Sequence, residues 1–303
     1  MSTESRPTPT LSRRAAVGLG AGSLAAAFAA RNLVTPAAAA TQATPAPTEP
    51  ATFVLVPGAW VGAFAWHNVV PRLRAAGHNV YAVTCTGLGE RAHLASPSLD
   101  LDDFITDVVN VLEFEDLHNV TLVGHSFGGM VISGVAEQVP ERLAQVLYLD
   151  SYVPADGQNA YYDVALISEE AYNAAIAADI AAAMEAGVPG FWPVFPAVVE
   201  WARASIRDQA EAEWIIARLV PQSHLTLLQP IQLGNPAAAA LPRAYILCTA
   251  DKDLQADPQT NFGLLAAEQA RSDPNWRLVE LDGNHLALMD DPQATAEALL
   301  SLV

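Results

Sequence analysis

Residues 124–128, with the sequence GHSFG, are the part of this chain whose residue types and spacing point most directly to chemistry. They fit the pattern G-x-S-x-G, in which a sharp turn between a strand and a helix exposes a serine hydroxyl. The apolar residues 120–123 predict a strand just before the turn, and residues 129–132 predict the start of a helix just after it. This context, more than the motif alone, indicates that Ser126 is a nucleophile.

A serine of ordinary pKa needs a general base, and the base needs an acid that orients it. His285 follows the last predicted strand and is the one histidine of seven whose position fits the base. Asp251 follows the strand before it, which gives the chain order Ser, Asp, His. Asp150, after the fourth predicted strand, and Asp253 stay open as alternatives for the acid. Four other histidines are interpreted as structural, and two could face a pocket: His67, His78, His118 and His125, then His93 and His224.

Attack on a carbonyl carbon creates an oxyanion, which needs hydrogen-bond donors that are already in place. The N–H of Phe127 is one candidate, because it lies at the start of the predicted helix, where backbone donors have no partner within the helix. A second candidate is the N–H of Ala59, in the loop after the first predicted strand. We therefore expect Ala59 and Phe127 to form the oxyanion hole.

The elements that would position these residues alternate between short β-branched runs and amphipathic helical stretches. Strands are predicted at residues 53–56, 80–83, 120–123, 146–149, 245–248 and 276–281, and helices at 66–75, 101–114, 128–138, 260–270 and 292–300. Nearly continuous apolar strands indicate burial on both faces. The pattern predicts an α/β fold with a mostly parallel sheet and helices on both of its faces.

Residues 153–235 interrupt this alternation. They carry an Ala-rich helical stretch at 169–186 and apolar segments around Trp192, Trp201 and Trp214, and no strand is predicted among them. We expect this segment to be a helical cap, inserted before the strand that carries the catalytic acid and covering a pocket. The two flanking segments, 51–152 and 236–303, would form the core.

The first forty residues are typical of an export signal. Arg13 and Arg14 precede a weakly apolar run at residues 15–30, which is too short to span a bilayer, and Ala37–Ala40 offers a cleavage site. We expect a twin-arginine signal over residues 1–40, a linker over 41–50, and a secreted or periplasmic protein. A disordered tail or an uncleaved anchor is the alternative.

The chain is acidic, with a formal charge of −18. Loss of residues 1–40 removes four arginines and one glutamate and brings the charge to −21. Such a surface repels phosphate backbones and anionic lipids, so neither a nucleic-acid partner nor stable membrane association is expected. The histidines and acids lack the spacing of a metal site, and no glycine-rich phosphate loop occurs, so no metal or cofactor is expected.

The two cysteines, Cys85 and Cys248, each follow or end a predicted strand. In the expected sheet these strands are several steps apart, at about 4.8 Å a step, whereas a disulfide needs Cα atoms within about 7 Å. Both are therefore predicted to be free thiols.

Five segments together resemble the plant methylesterase and hydroxynitrile lyase family and its bacterial carboxylesterase relatives. They are residues 53–60 (FVLVPGAW), 124–130 (GHSFGGM), 218–222 (RLVPQ), 248–252 (CTADK) and 282–285 (DGNH). The resemblance implies the α/β-hydrolase fold and places the catalytic acid at Asp251. Pro57 is a departure, because many members of the family have histidine there.

We expect a serine hydrolase that cleaves an uncharged, hydrophobic carboxylic ester or lactone through an acyl-enzyme on Ser126. A lyase on the same scaffold is one alternative, but Leu286 stands where the hydroxynitrile lyases carry a lysine after the catalytic histidine, and Lys252 is the only lysine of the chain. A binding protein that kept the fold and lost turnover is the other alternative.

Overall fold

A computed structural model describes residues 50–161, 168–258 and 261–303. The predicted export signal and nearly all of the predicted linker lie outside these residues. The described residues belong to one compact unit. No helix in the described ranges is both long and apolar enough to cross a membrane.

Six parallel strands form the central sheet: β1 Thr52–Val56, β2 Asn79–Ala82, β3 Val120–His125, β4 Leu143–Leu149, β7 Arg243–Cys248 and β8 Trp276–Leu281. Their spatial order is β2-β1-β3-β4-β7-β8. The central strands are almost wholly buried, since their apolar residues face helices on both sides. Every predicted strand is present, and the predicted fold class is confirmed.

Helices cover both faces of this sheet. The core helices are α1 Val70–Ala75, α2 Leu101–Phe114, α3 Gly128–Gln138, α9 Phe262–Ser272, α10 Ala287–Asp290 and α11 Pro292–Leu300, with 3-10 turns at Ala63–Trp66, Gly89–Leu94 and Pro140–Arg142. Apolar side chains of α2, α3 and α9 fill one face, and those of α1, α10 and α11 fill the other. The helix predicted at 66–75 is shorter than expected, because a 3-10 turn ends at Trp66 before α1 begins.

The segment between β4 and β7 is mostly helical in its described part. It contains α4 Glu169–Glu185, α5 Pro196–Ser205, α6 Gln209–Ile216, α7 Leu225–Leu228 and α8 Pro236–Ala239. It also contains two short antiparallel strands that were not expected, β5 Phe191–Trp192 and β6 Gln222–Ser223. Two-residue strands leave too short a sequence pattern to be recognised, since alternation becomes visible only over about four residues.

Both cysteines are free and buried. Cys85 follows β2 and Cys248 ends β7, with β1, β3 and β4 lying between these two strands. The sheet order thus keeps the two thiols apart. The prediction that they are unpaired was based on this separation.

Candidate active site

Ser126 lies at the turn between β3 and α3 with a backbone φ of 53°. This left-handed conformation is uncommon outside glycine and is typical of strained functional positions. The neighbouring glycines allow the sharp turn. A Cβ on Gly128 would lie 2.7 Å from the carbonyl oxygen of Pro57, and one on Gly129 would lie 1.9 Å from that of Tyr152. The local sequence therefore folds into the sharp turn that the motif predicted.

His285 lies in the loop between β8 and α10 and faces the serine. Its Nε2 is 3.0 Å from the Ser126 Oγ, a hydrogen-bond distance. Two further bonds hold its backbone. The N–H donates to Oδ2 of Asp251 at 2.8 Å, and the carbonyl oxygen accepts from Nε2 of His125 at 2.8 Å. The imidazole is thus presented by a backbone that is anchored on both sides.

Asp150 is the acid that contacts the imidazole. Its Oδ2 lies 2.6 Å from Nδ1 of His285, and its side chain is fully buried. The residue directly follows β4 and has a backbone φ of 41°, in the left-handed region. Because β4 is the neighbour of β3, the carboxylate comes up beside the histidine that faces Ser126.

The prediction that Asp251 contacts the ring is wrong in this structure. Asp251 lies three residues beyond the end of β7 and reaches the backbone N–H of His285, not its ring. Asp253 is not at the ring either, since its carboxylate accepts the N–H of Gln255 in a local turn. The resemblance thus identified Asp251, which does contact His285, but it predicted a contact with the ring where the structure has one with the backbone N–H.

A single cation joins the two carboxylates. Nζ of Lys252 lies 2.7 Å from Oδ2 of Asp150 and 3.1 Å from Oδ1 of Asp251. Burial by itself would raise the pKa of Asp150, but the hydrogen bond and charge of His285 and the charge of Lys252 outweigh it and hold that pKa below its ordinary value. The acid is therefore kept as a carboxylate, which can accept the Nδ1 proton.

His125 is buried and stays neutral. Burial, and then the nearby His285, lower its pKa from 6.5 to about 3. Since its Nε2 donates to the His285 carbonyl oxygen, the proton lies on that nitrogen. Its Nδ1 finds no hydrogen-bond partner in the described ranges. His125 was predicted to be structural, and the structure shows what it supports.

The two predicted oxyanion donors belong to residues close to Ser126. Phe127 follows Ser126 directly, and Ala59 follows Gly58, whose Cβ, if it had one, would be 2.9 Å from the Ser126 Cβ. Among the described residues neither N–H donates to a protein acceptor, whereas the next amide, that of Trp60, is bonded to Oε1 of Gln222. The geometry leaves both donors available, and their role stays a prediction.

A cavity of about 70 Å³ opens at the serine and the histidine. Its outer wall comes from the segment between β4 and β7, through Trp201 of α5, Ile215 of α6 and Leu219. The Trp201 ring lies 5.7 Å from the His285 ring. Larger clefts of about 810 and 820 Å³ lie elsewhere on the described surface, and neither is lined by Ser126 or His285. Ser126 and His285 therefore face a small, mostly apolar space.

The remaining histidines lie away from the serine. His67 and His78 bond the backbone at Phe64 and Ala51, His118 contacts Asp116, and His93 is exposed. His224 bonds the hydroxyl of Tyr161, which in turn donates to Asp179. No group of three or more potential ligands that could hold a metal occurs in the part of the chain described.

Sequence reasoning missed the bridging contacts of Lys252 and the backbone contact of His125. One signal was present, because Lys252 is the only lysine of the chain and adjoins Asp251. No local pattern, however, relates Lys252 to Asp150, which is 102 residues earlier.

Comparison with known proteins shows the family to which the chain belongs. The model of the family described as the alpha/beta hydrolase family matches residues 53–298. A carbendazim hydrolyzing esterase from Nocardioides sp. (strain SG-4G) is 35% identical over 254 residues, which cover 83% of this chain and 99% of that protein. Salicylic acid-binding protein 2 from Nicotiana tabacum is 27% identical, over 82% of this chain and 96% of its own.

A solved structure shares the fold. An extracellular alpha/beta-hydrolase from a Paenibacillus species superposes with a TM-score of 0.66 at 24% sequence identity, covering 83% of this chain and 98% of the other. The relatives thus span both the core and the segment between β4 and β7.

Proposed function

Because the chain belongs to the α/β-hydrolase family and is a carboxylesterase-type enzyme, we propose that it cleaves uncharged carboxylic esters through an acyl-enzyme on Ser126. One observation carries the proposal. Ser126 Oγ, the two ring nitrogens of His285 and a carboxylate oxygen of Asp150 form a continuous chain of contacts at 3.0 and 2.6 Å. This is the arrangement in which a base removes a serine proton while an acid stabilises the resulting imidazolium.

The proposed reaction has two halves. His285 takes the proton of Ser126 as the oxygen attacks the ester carbonyl, and the N–H groups of Ala59 and Phe127 receive the developing oxyanion. The imidazolium then gives its proton to the leaving alcohol, and the acyl group stays on Ser126. In the second half a water molecule, deprotonated by His285, attacks the acyl carbonyl and releases the acid. Asp150 remains a carboxylate throughout.

The surroundings of the serine favour an uncharged substrate. The cavity wall is apolar at Trp201, Ile215 and Leu219, and the chain as a whole carries a formal charge of −18. Burying a charged group there would cost several kcal/mol without a partner. Two relatives are named as esterases: the carbendazim hydrolyzing esterase, and a polyneuridine aldehyde esterase from Rauvolfia serpentina that is 24% identical over 82% of this chain and 94% of its own. We infer a medium-sized hydrophobic ester or lactone and no nucleic-acid or stable membrane partner.

Reaction with a fluorophosphonate probe tests the activated serine directly. The purified protein should become labelled at Ser126, and Ser126→Ala should abolish the label. The matched control is Ser301→Ala, which removes a hydroxyl bonded to the carbonyl of Ala298 in the C-terminal turn. Hydrolysis of an ester panel that varies in chain length and aromaticity then defines the substrate. An unlabelled, folded protein would refute the hydrolase mechanism and favour a binding protein.

We also propose that residues 1–40 direct export of the folded protein. The support is the Arg13–Arg14 pair followed by a short apolar run and small residues up to Ala40. Changing both arginines to lysine should retain the protein inside the cell. Unaltered secretion of that variant would show that a different route is used.

A further inference from the structure

The only lysine of the chain has its side chain almost entirely buried beside the candidate triad. Lys252 is 6% exposed at its side chain, and its Nζ bonds both Asp150 and Asp251. A buried ammonium group is costly unless it is paired and hydrogen-bonded. The burial of this ammonium group therefore depends on its two carboxylate partners.

The two carboxylates act on different parts of one residue. Asp150 contacts the His285 ring at Nδ1, and Asp251 contacts the His285 backbone N–H. Lys252 contacts both carboxylates, so the ends of β4 and β7 and the loop after β8 are joined through one ammonium group. Displacing Lys252 would release both supports of the histidine together.

Lys252 and His285 also share a single oxygen. Both Nζ of Lys252 and Nδ1 of His285 lie on Oδ2 of Asp150, at 2.7 and 2.6 Å. A permanent cation so near opposes the arrival of a second positive charge on the imidazole. The Lys252 ammonium group also partly neutralises the Asp150 carboxylate, whose negative charge would otherwise favour the imidazolium.

We propose that Lys252 is a positioning residue, which bridges Asp150 and Asp251 behind His285 and opposes a positive charge on the imidazole, so that loss of the lysine favours the imidazolium. The inference rests on the proposed function. Among the described residues, the charged or titratable groups that contact His285 include Asp150, Asp251 and His125, and Lys252 contacts both of these carboxylates. His125 is buried and neutral, so Lys252 is the cation that opposes protonation.

The test is the rate of fluorophosphonate labelling at Ser126 as a function of pH. Lys252→Met keeps an unbranched side chain of similar length and removes the charge. Without the cation the imidazolium is favoured, so the acidic limb of the profile should move to higher pH by about one to three units. Arg271→Met removes a cation from an exposed pair with Glu280 and should leave the limb in place. Lys252→Arg, which keeps the charge, should restore the limb towards the wild-type position.

A merely structural role would lower the stability or the amount of labelled protein without moving the limb. Labelling reports only folded molecules, so it can be measured even where Lys252→Met is partly unfolded. If that variant does not fold, Lys252→Gln, which removes the charge and keeps an amide that can donate to the carboxylates, should show a shift in the same direction. An unshifted limb in a labelled variant overturns the role of Lys252 alone. Absence of labelling in the wild type overturns the proposed function as well.

Discussion

His125 donates a hydrogen bond from Nε2 to the backbone carbonyl oxygen of His285 at 2.8 Å, and the two rings lie 4.8 Å apart. The residue just before the nucleophile therefore holds the loop that carries the base. The contact joins the end of β3 to the loop after β8, which are 160 residues apart along the chain. Ser126 and His285 are thus fixed relative to each other by more than the hydrogen bond between their side chains.

The neutral state of His125 predicts a pH dependence of stability. In the folded protein its pKa is about 3, against 6.5 for the ordinary side chain, so below about pH 6.5 the unfolded chain binds a proton that the folded chain does not. This contribution is present in full above pH 6.5 and is lost as the pH falls towards 3, at about 1.4 kcal/mol per pH unit. Urea unfolding between pH 7.5 and 4 measures it.

His125→Phe should flatten this slope, because phenylalanine has no proton to gain on unfolding. It should also destabilise the protein by about 1–3 kcal/mol at neutral pH, since the His285 carbonyl loses its donor. His93→Phe, at an exposed position, is the matched control and should keep the wild-type slope. Equal slopes in the wild type and His125→Phe would contradict the assignment.

The two aspartates predict unequal losses of activity. Asp150→Asn should lower kcat by about 10⁴, because the amide cannot hold the imidazole in the required tautomer or stabilise the imidazolium. Asp251→Asn keeps an oxygen that can accept the His285 N–H, so the loss should be about tenfold or less. Steady-state kinetics on one ester, with circular dichroism to verify folding, compares the two. The opposite order would return the acid to Asp251.

Substitution of Gly58 is predicted to displace the loop after β1, because this loop packs closely against Ser126. A Cβ there would be 2.9 Å from the Ser126 Cβ and 3.2 Å from Nδ1 of His125, so Gly58→Ala must push the loop away. Displacing the Ala59 N–H should cost about 10²–10³ in kcat, as expected for one oxyanion donor. Gly234→Ala, where a Cβ meets nothing within 4 Å, is the control and should keep full activity. A fully active Gly58→Ala would remove Ala59 from the mechanism.

Trp201 is predicted to limit substrate size. Its ring walls a cavity of about 70 Å³ and lies 5.7 Å from the His285 ring. Trp201→Ala should therefore raise kcat/KM for bulky esters relative to short ones. Trp214→Ala removes an indole of similar size that packs on His67 and Phe64 instead. Kinetics over the ester panel should show the change in selectivity in the first variant only. The same shift in both would indicate general loosening of α5 and α6.

Both thiols are predicted to be inert in the folded protein. Cys85 and Cys248 are buried, and burial raises the pKa of each thiol far above its ordinary value. Titration with a thiol reagent at pH 8 without reductant should find none in the native protein and two after denaturation. None after denaturation would mean a disulfide and a different sheet order.

The positions of the proposed nucleophile and the proposed base could be predicted from the sequence because their signals are local. Ser126 is marked by flanking glycines between a strand and a helix, and His285 follows an apolar strand. Burial on both faces makes each central strand a nearly continuous apolar run, so the sheet was readable as well. The two short strands β5 and β6 left no such pattern.

The acid was decided only by the tertiary structure. Asp150 and Asp251 both follow strands at the same edge of the sheet, so chain order and resemblance could not separate a contact to the ring from a contact to the backbone. The choice depends on β4 lying beside β3, on the φ of 41° at Asp150, and on Lys252 reaching across from the loop after β7. The contact between Lys252 and Asp150 joins residues 102 positions apart, and a few ångströms determine which atom each carboxylate meets. A sequence pattern indicates which residues lie at the same edge of the sheet, whereas tertiary packing determines the distances between their side chains.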